Sequence, residues 1–140
     1  MKKAFKVFCL LLVLVNSSCN VKMVRTTNDV HLLKENEQKF INKPLNKLLK
    51  EIKPEIKSFH GNNEEGYQFF SFSFRTVEQI RKNQGNWKDK VGLYIYVTEP
   101  IDWQFEKRPK GQETVWSKED AKKYGNLIVT RIKVINKPKE

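Results

Sequence analysis

Tyr67-Gln68-Phe69-Phe70-Ser71-Phe72-Ser73-Phe74-Arg75 is the stretch whose reading decides the fold. Phe70, Phe72 and Phe74 alternate with Ser71, Ser73 and Arg75, a period of two that sets three phenylalanines on one face of a strand. Rows of large aromatics are far more often buried than displayed, so this strand predicts a sheet with one packed face. A second alternation runs from Val91 to Thr98, with Val91, Leu93, Ile95 and Val97 on one side and Tyr94, Tyr96 and Thr98 on the other. Bulk on both sides predicts a central strand, or one whose tyrosine face another element covers. Ile56 to His60 is a candidate first strand, followed by the turn-rich loop Asn62 to Gly66, and Leu127 to Ile135 closes the sheet.

Helical signals surround these strands. In Asn42-Lys43-Pro44-Leu45-Asn46-Lys47-Leu48-Leu49-Lys50-Glu51-Ile52, Asn42 can cap and Pro44 suits a first turn. Leu45, Leu48, Leu49 and Ile52 share one face, and Pro54 ends the helix. Thr76 with Gln79, and Ser117 with Asp120, have the spacing of reciprocal capping boxes. Val77 and Ile80 are expected to face inward in the first of these short helices, and Gly125 to stop the second. The fold class that follows is α+β. We expect a single small domain, with an antiparallel sheet of about four strands packed by one N-terminal amphipathic helix and short connecting helices.

Glu99 to Val115 is the longest irregular stretch, and long loops in small domains are often functional. It sets Trp103 and Phe105 beside Lys107, Arg108 and Lys110, with Trp116 and Lys122 close behind in sequence. Aromatic and arginine side chains together are what binding hot spots favour, so these seven residues are the candidate binding set. The competing reading is that Trp103 and Trp116 plug the end of the core.

Met1 to Cys19, MKKAFKVFCLLLVLVNSSC, stands apart from the rest. Lys2, Lys3 and Lys6 form a positive head, Val7 to Val15 is apolar, and Asn16-Ser17-Ser18 leads into Cys19, the layout of a secretory signal peptide. The apolar run is about half the length of roughly 20 residues that a membrane-spanning helix needs. An apolar run, small residues and then Cys resembles a bacterial lipoprotein signal, although Asn16 stands where that pattern usually has an apolar residue. The resemblance covers residues 1–19 and implies cleavage before Cys19 with acyl chains, palmitate among them, on the new terminus. Ordinary cleavage after Ser17 or Ser18 is the alternative and would leave Cys19 a free thiol. Through Asn16 and its richness in Lys and Asn, the chain also resembles small lipoproteins of unassigned function from the Bacteroidota.

The expected organisation is therefore a signal peptide over 1–18, a lipidated Cys19 with a flexible tether over 19–38 in which Val30 to Leu33 is the candidate for a short ordered piece, and an α+β domain over 39–140. The resemblance implies an exported protein, lipid-anchored to the cell envelope and facing the periplasm or the cell surface. Removing the leader's three lysines takes the formal net charge from +11 to +8, which favours polyanionic partners. Envelope proteins, anionic glycans and anionic lipids are within reach of such a protein, and no nucleic-acid partner is expected.

Chemistry finds little purchase in this sequence. Beyond the leader the histidines are His31 and His60, and no thiol follows Cys19, so a Ser–His or Cys–His pair has few members to draw on. No phosphate-cradling glycine loop or zinc-ligand spacing is present, and no metal or cofactor is expected. The leading expectation is a non-catalytic, membrane-tethered envelope lipoprotein that binds a protein or an envelope polyanion. The alternatives are a periplasmic immunity or inhibitor protein acting on a toxin or hydrolase and, third, a small hydrolase built on carboxylates such as Glu99, Asp102, Glu106 and Glu113.

Overall fold

Four strands, β1 (Ser58–Glu64), β2 (Tyr67–Ser73), β3 (Gly92–Val97) and β4 (Val129–Ile135), form one antiparallel sheet in the order β1-β2-β3-β4. The description comes from a computed structural model and covers residues 21–136, so the leader, Cys19 and Asn20 lie outside the described residues. Register follows the alternation. Phe59 pairs with Phe72, Phe70 with Ile95, and Ile95 with Ile132, which places all five side chains on one face, where each is fully buried. Each such phenylalanine contributes about 1.5–3 kcal/mol of burial, so this face is the main source of stability. β3 is interior, as its two bulky faces predict. The turn before β2 is tighter than expected, because β1 runs on to Glu64 and only Glu65 and Gly66 connect the pair. Gly66 takes a positive φ of 76° there, a conformation that glycine adopts without steric cost.

Among the described residues four short α-helices, α1 (His31–Glu35), α2 (Leu45–Leu49), α3 (Val77–Arg81) and α4 (Lys118–Tyr124), accompany the sheet. α2 buries Leu45 and Leu48, and α4 buries Tyr124 against Phe70 at 5.1 Å. The capping boxes of α3 and α4 form as their spacing predicts.

Several expectations need correction. Asn42 does not cap α2; it adopts φ 62°, and Pro44 is the cap residue. The reason is β4, whose outer edge is sealed by the chain entering α2: Asn42 N–H donates to Val129 O (2.8 Å), and Val129 N–H donates to Lys43 O (2.9 Å). α2 also stops at Leu49, well before Pro54, because Ile52 leaves the helix to bridge Val24. In α3, Val77 and Ile80 are exposed; the segment is tied down from its flanks, where buried Arg75 donates to Gln84 O at 3.1 Å. Gly125 does close α4, but with φ −62°; its lack of a side chain matters because a Cβ would lie 2.2 Å from the Asn46 amide.

The largest correction concerns the tether. Val24, Val30 and Leu33 are fully buried, and residues 27–39 fold into α1 flanked by two 3-10 turns. Val24 N–H donates to Glu51 O and Lys53 N–H to Val24 O, both at 2.9 Å. The domain therefore begins near Val24 and not at residue 39. Glu37 accepts from Ile132 N–H at 3.2 Å, so this segment also satisfies part of the β4 edge.

Candidate functional site

Because side chains alternate along a strand, the register that packs the phenylalanines inward sets a second group of residues on the outer face. Two rows cross the sheet there: Asn62, Phe69, Tyr96 and Arg131, and beside it His60, Ser71, Tyr94 and Lys133. None of these eight residues is buried. Phe69 lies 5.1 Å from Tyr96 and 5.6 Å from Tyr94, centroid to centroid, and Tyr67, 61% exposed, stands edge-on to Tyr96 at 6.3 Å. The Arg131 guanidinium sits 5.2 Å from the Tyr96 ring centre, within cation–π reach.

The face is a platform of ring surfaces flanked by fixed positive charge. Arg131 and Lys133 supply that charge from β4. His60 adds none near neutral pH, because its ring packs edge-on to Trp103 at 5.6 Å and partial loss of water holds its pKa below the usual 6.5. Asn62, Ser71 and the two tyrosine hydroxyls provide neutral donors and acceptors between the rings. Such an array can stack planar or ring-shaped groups and pair with anions. Among the described residues no group of three His, Cys, Asp or Glu is close enough to hold a metal ion.

The seven loop residues expected to bind are placed differently from one another. Trp116 stands over the core edge-on to Phe59 (4.9 Å) and Phe72 (5.1 Å). Trp103 packs on Phe59 at 6.0 Å. Arg108 makes two 2.8 Å hydrogen bonds to the Asp120 carboxylate, donates to Val115 O, and lies 4.8 Å from the Phe59 ring centre. These three are structural members of the end of the core. Phe105, Lys107, Lys110 and Lys122 are exposed. Trp103, Lys107 and Arg108 share one small cleft, whereas Lys110 and Lys122 do not line it.

Asn63 and Gly61 explain why this loop is fixed. The Asn63 amide donates to Ile101 O (2.7 Å) and accepts from Ile101 N–H (2.8 Å), imitating a strand pair with its side chain. A Cβ on Gly61 would lie 2.8 Å from Trp103 Cβ and 2.9 Å from Ile101 Cγ2, so only glycine admits the loop this closely. Gly61→Val is therefore expected to push Trp103 outward and cost about 1–3 kcal/mol. A red-shifted tryptophan emission together with a lowered urea midpoint checks it; unchanged emission would refute the packing.

Sequence reasoning passed over the outer face, although its signal was present. Tyr67 and Phe69 have the opposite parity to Phe70 and Phe72, and Tyr94 and Tyr96 the opposite parity to Ile95, so both strands already carried a second aromatic face. Among the described residues no helix is long and apolar enough to cross a membrane. Compared with models of protein families, with curated proteins and with solved structures, the chain matches none.

Proposed function

We propose that this chain is an exported lipoprotein, anchored through acyl chains on Cys19, whose domain binds an acidic envelope glycan on the outer face of its sheet. The observation that carries the binding reading is the row Phe69, Tyr96 and Arg131 beside Tyr94 and Lys133, rings and cations side by side on a face that is not buried. The polarised C–H groups of a sugar ring are attracted to the negative face of an aromatic ring, and acidic substituents pair with guanidinium and ammonium groups. The basic balance of the chain favours the same class of ligand. Binding is equilibrium contact work and requires no turnover.

Uronic-acid oligosaccharides and their neutral counterparts, titrated by calorimetry, test the reading. The acidic series is expected to bind and the neutral series to bind at least tenfold more weakly. Tyr96→Ala and Arg131→Ala should each remove about 2 kcal/mol, a loss of roughly thirtyfold. Equal binding of both series, or no effect of either substitution, overturns it. The enrichment of tyrosine and arginine on this face also suits a protein partner, which is the immunity or inhibitor reading. Capture of one stoichiometric envelope protein, lost in the same two variants, would favour that alternative. Anchoring is tested separately by incorporation of labelled palmitate, expected in the wild type and absent in Cys19→Ser.

A further inference from the structure

A second charged surface lies away from the sheet's outer face, where the chain enters the domain. Lys22, Lys39, Lys43 and Lys47 line one shallow groove. All four are exposed, and none has an acidic partner among the described ion pairs. The one carboxylate in the groove, Glu51, is occupied, accepting the Met23 N–H at 2.8 Å. Val21, 65% exposed, stands at the same rim.

Covalent geometry then limits where this groove can be. Val24 is clamped to Glu51 and Lys53 by the two backbone hydrogen bonds that close the domain, so the entering chain is not free to swing. Only Asn20 separates Cys19 from Val21, two residue steps that span at most about 7 Å. Anchoring of residues 24–40 in the core through Val24, Val30, Leu33 and Phe40 removes the slack that a tether would have supplied. If acyl chains on Cys19 are in a bilayer, the groove beside Val21 lies within the headgroup region.

We infer that this groove is a membrane-docking surface for phosphate-bearing anionic lipid, orienting the domain with Lys22, Lys39, Lys43 and Lys47 against the headgroups. The inference rests on the proposed acylation of Cys19. An apolar rim residue framed by lysines suits the interface, where the side chain enters the acyl boundary and the ammonium groups meet phosphates.

The test uses the full chain isolated from membranes and reconstituted into vesicles of phosphatidylglycerol with phosphatidylcholine, or of phosphatidylcholine alone. Amine-reactive labelling, read lysine by lysine by mass spectrometry, reports contact, and the same spectra report the mass on Cys19. In the anionic vesicles at low salt, the four groove lysines are expected to label about fivefold or more slowly than in neutral vesicles, the factor that roughly 1 kcal/mol of attraction per lysine implies. Lys107 and Lys133 should be unaffected, and high salt should abolish the difference. Lys39→Glu, Lys43→Glu and Lys47→Glu together should remove the protection of Lys22 while leaving the melting curve unchanged. An acylated Cys19 with equal labelling in both vesicles overturns the docking surface and leaves the anchor standing. Equal protection of Lys107 and Lys133 also overturns it. An unmodified Cys19 overturns the anchor, and this inference with it.

Discussion

Replacing Asp120 with alanine is expected to lower the melting temperature by roughly 10–15 °C. The carboxylate is buried and holds four hydrogen bonds at once: both Arg108 terminal nitrogens, and the Ser117 backbone N–H and hydroxyl. Its loss removes the reciprocal half of the α4 capping box and leaves the Arg108 guanidinium against Phe59 without its counter-ion. Removing one partner of a buried pair costs about 3–5 kcal/mol, more than the pair itself contributes, because the remaining charge is left desolvated. At about 4 °C per kcal/mol for a domain of this size, the lower end of that range gives the expected shift. Thermal melts followed by circular dichroism decide it, and a change of under about 3 °C would mean that the pair is solvated.

The same pair makes acid stability predictable in sign. Burial pushes the Asp120 carboxyl up, but hydrogen bonds from Arg108 and Ser117 outweigh it, so its pKa falls below the ordinary 3.8. The folded state thus holds this proton less tightly than the unfolded state. Its contribution is fully present above the unfolded value and is lost as pH falls from about 4 through the lowered folded value. The stability gap between wild type and Asp120→Asn should be widest near neutral pH and shrink below pH 4. A gap that grows with acid would contradict the assignment.

Leu33→Ala is expected to cost about 2–5 kcal/mol, a large effect from a position that the sequence alone places outside the domain, at most in a short ordered piece of the tether. Leu33 is fully buried in α1, beside Val30, in the same core as the phenylalanines of β2. Deleting it leaves a cavity that the surrounding side chains fill only in part. Urea unfolding gives the number directly. A cost below about 0.5 kcal/mol would restore the tether and remove the limit that places the basic groove near the bilayer.

How much could be read in advance depended on whether the signal was local. Alternation over Phe70–Phe74 and Val91–Val97 is carried within each strand, so β2, β3 and their buried face were legible. The capping boxes at Thr76 and Ser117 were legible for the same reason, since both partners lie three residues apart. Residues 24–40 defeated the reading because their apolar positions, Val24, Val30, Leu33 and Phe40, are too widely spaced for either period. The segment is held by partners far away in sequence, Glu51 bonded to Val24 and Ile132 bonded to Glu37.

The loop was ambiguous for a different reason. Trp103, Arg108 and Trp116 beside lysines look like a binding set, yet Arg108 is spent on Asp120 and both tryptophans on Phe59. Composition cannot distinguish an arginine that waits for a ligand from one already paired across the fold. Sequence by itself determined the alternation of β2 and β3, the two capping boxes and the basic balance, because each is legible along the chain without its fold. Only tertiary structure decided that the aromatic rows beside Arg131 and Lys133 meet on one open face, and that the chain is folded almost up to Cys19. Both depend on which distant residues share a surface, and the side chains that determine this are separated by tens of residues.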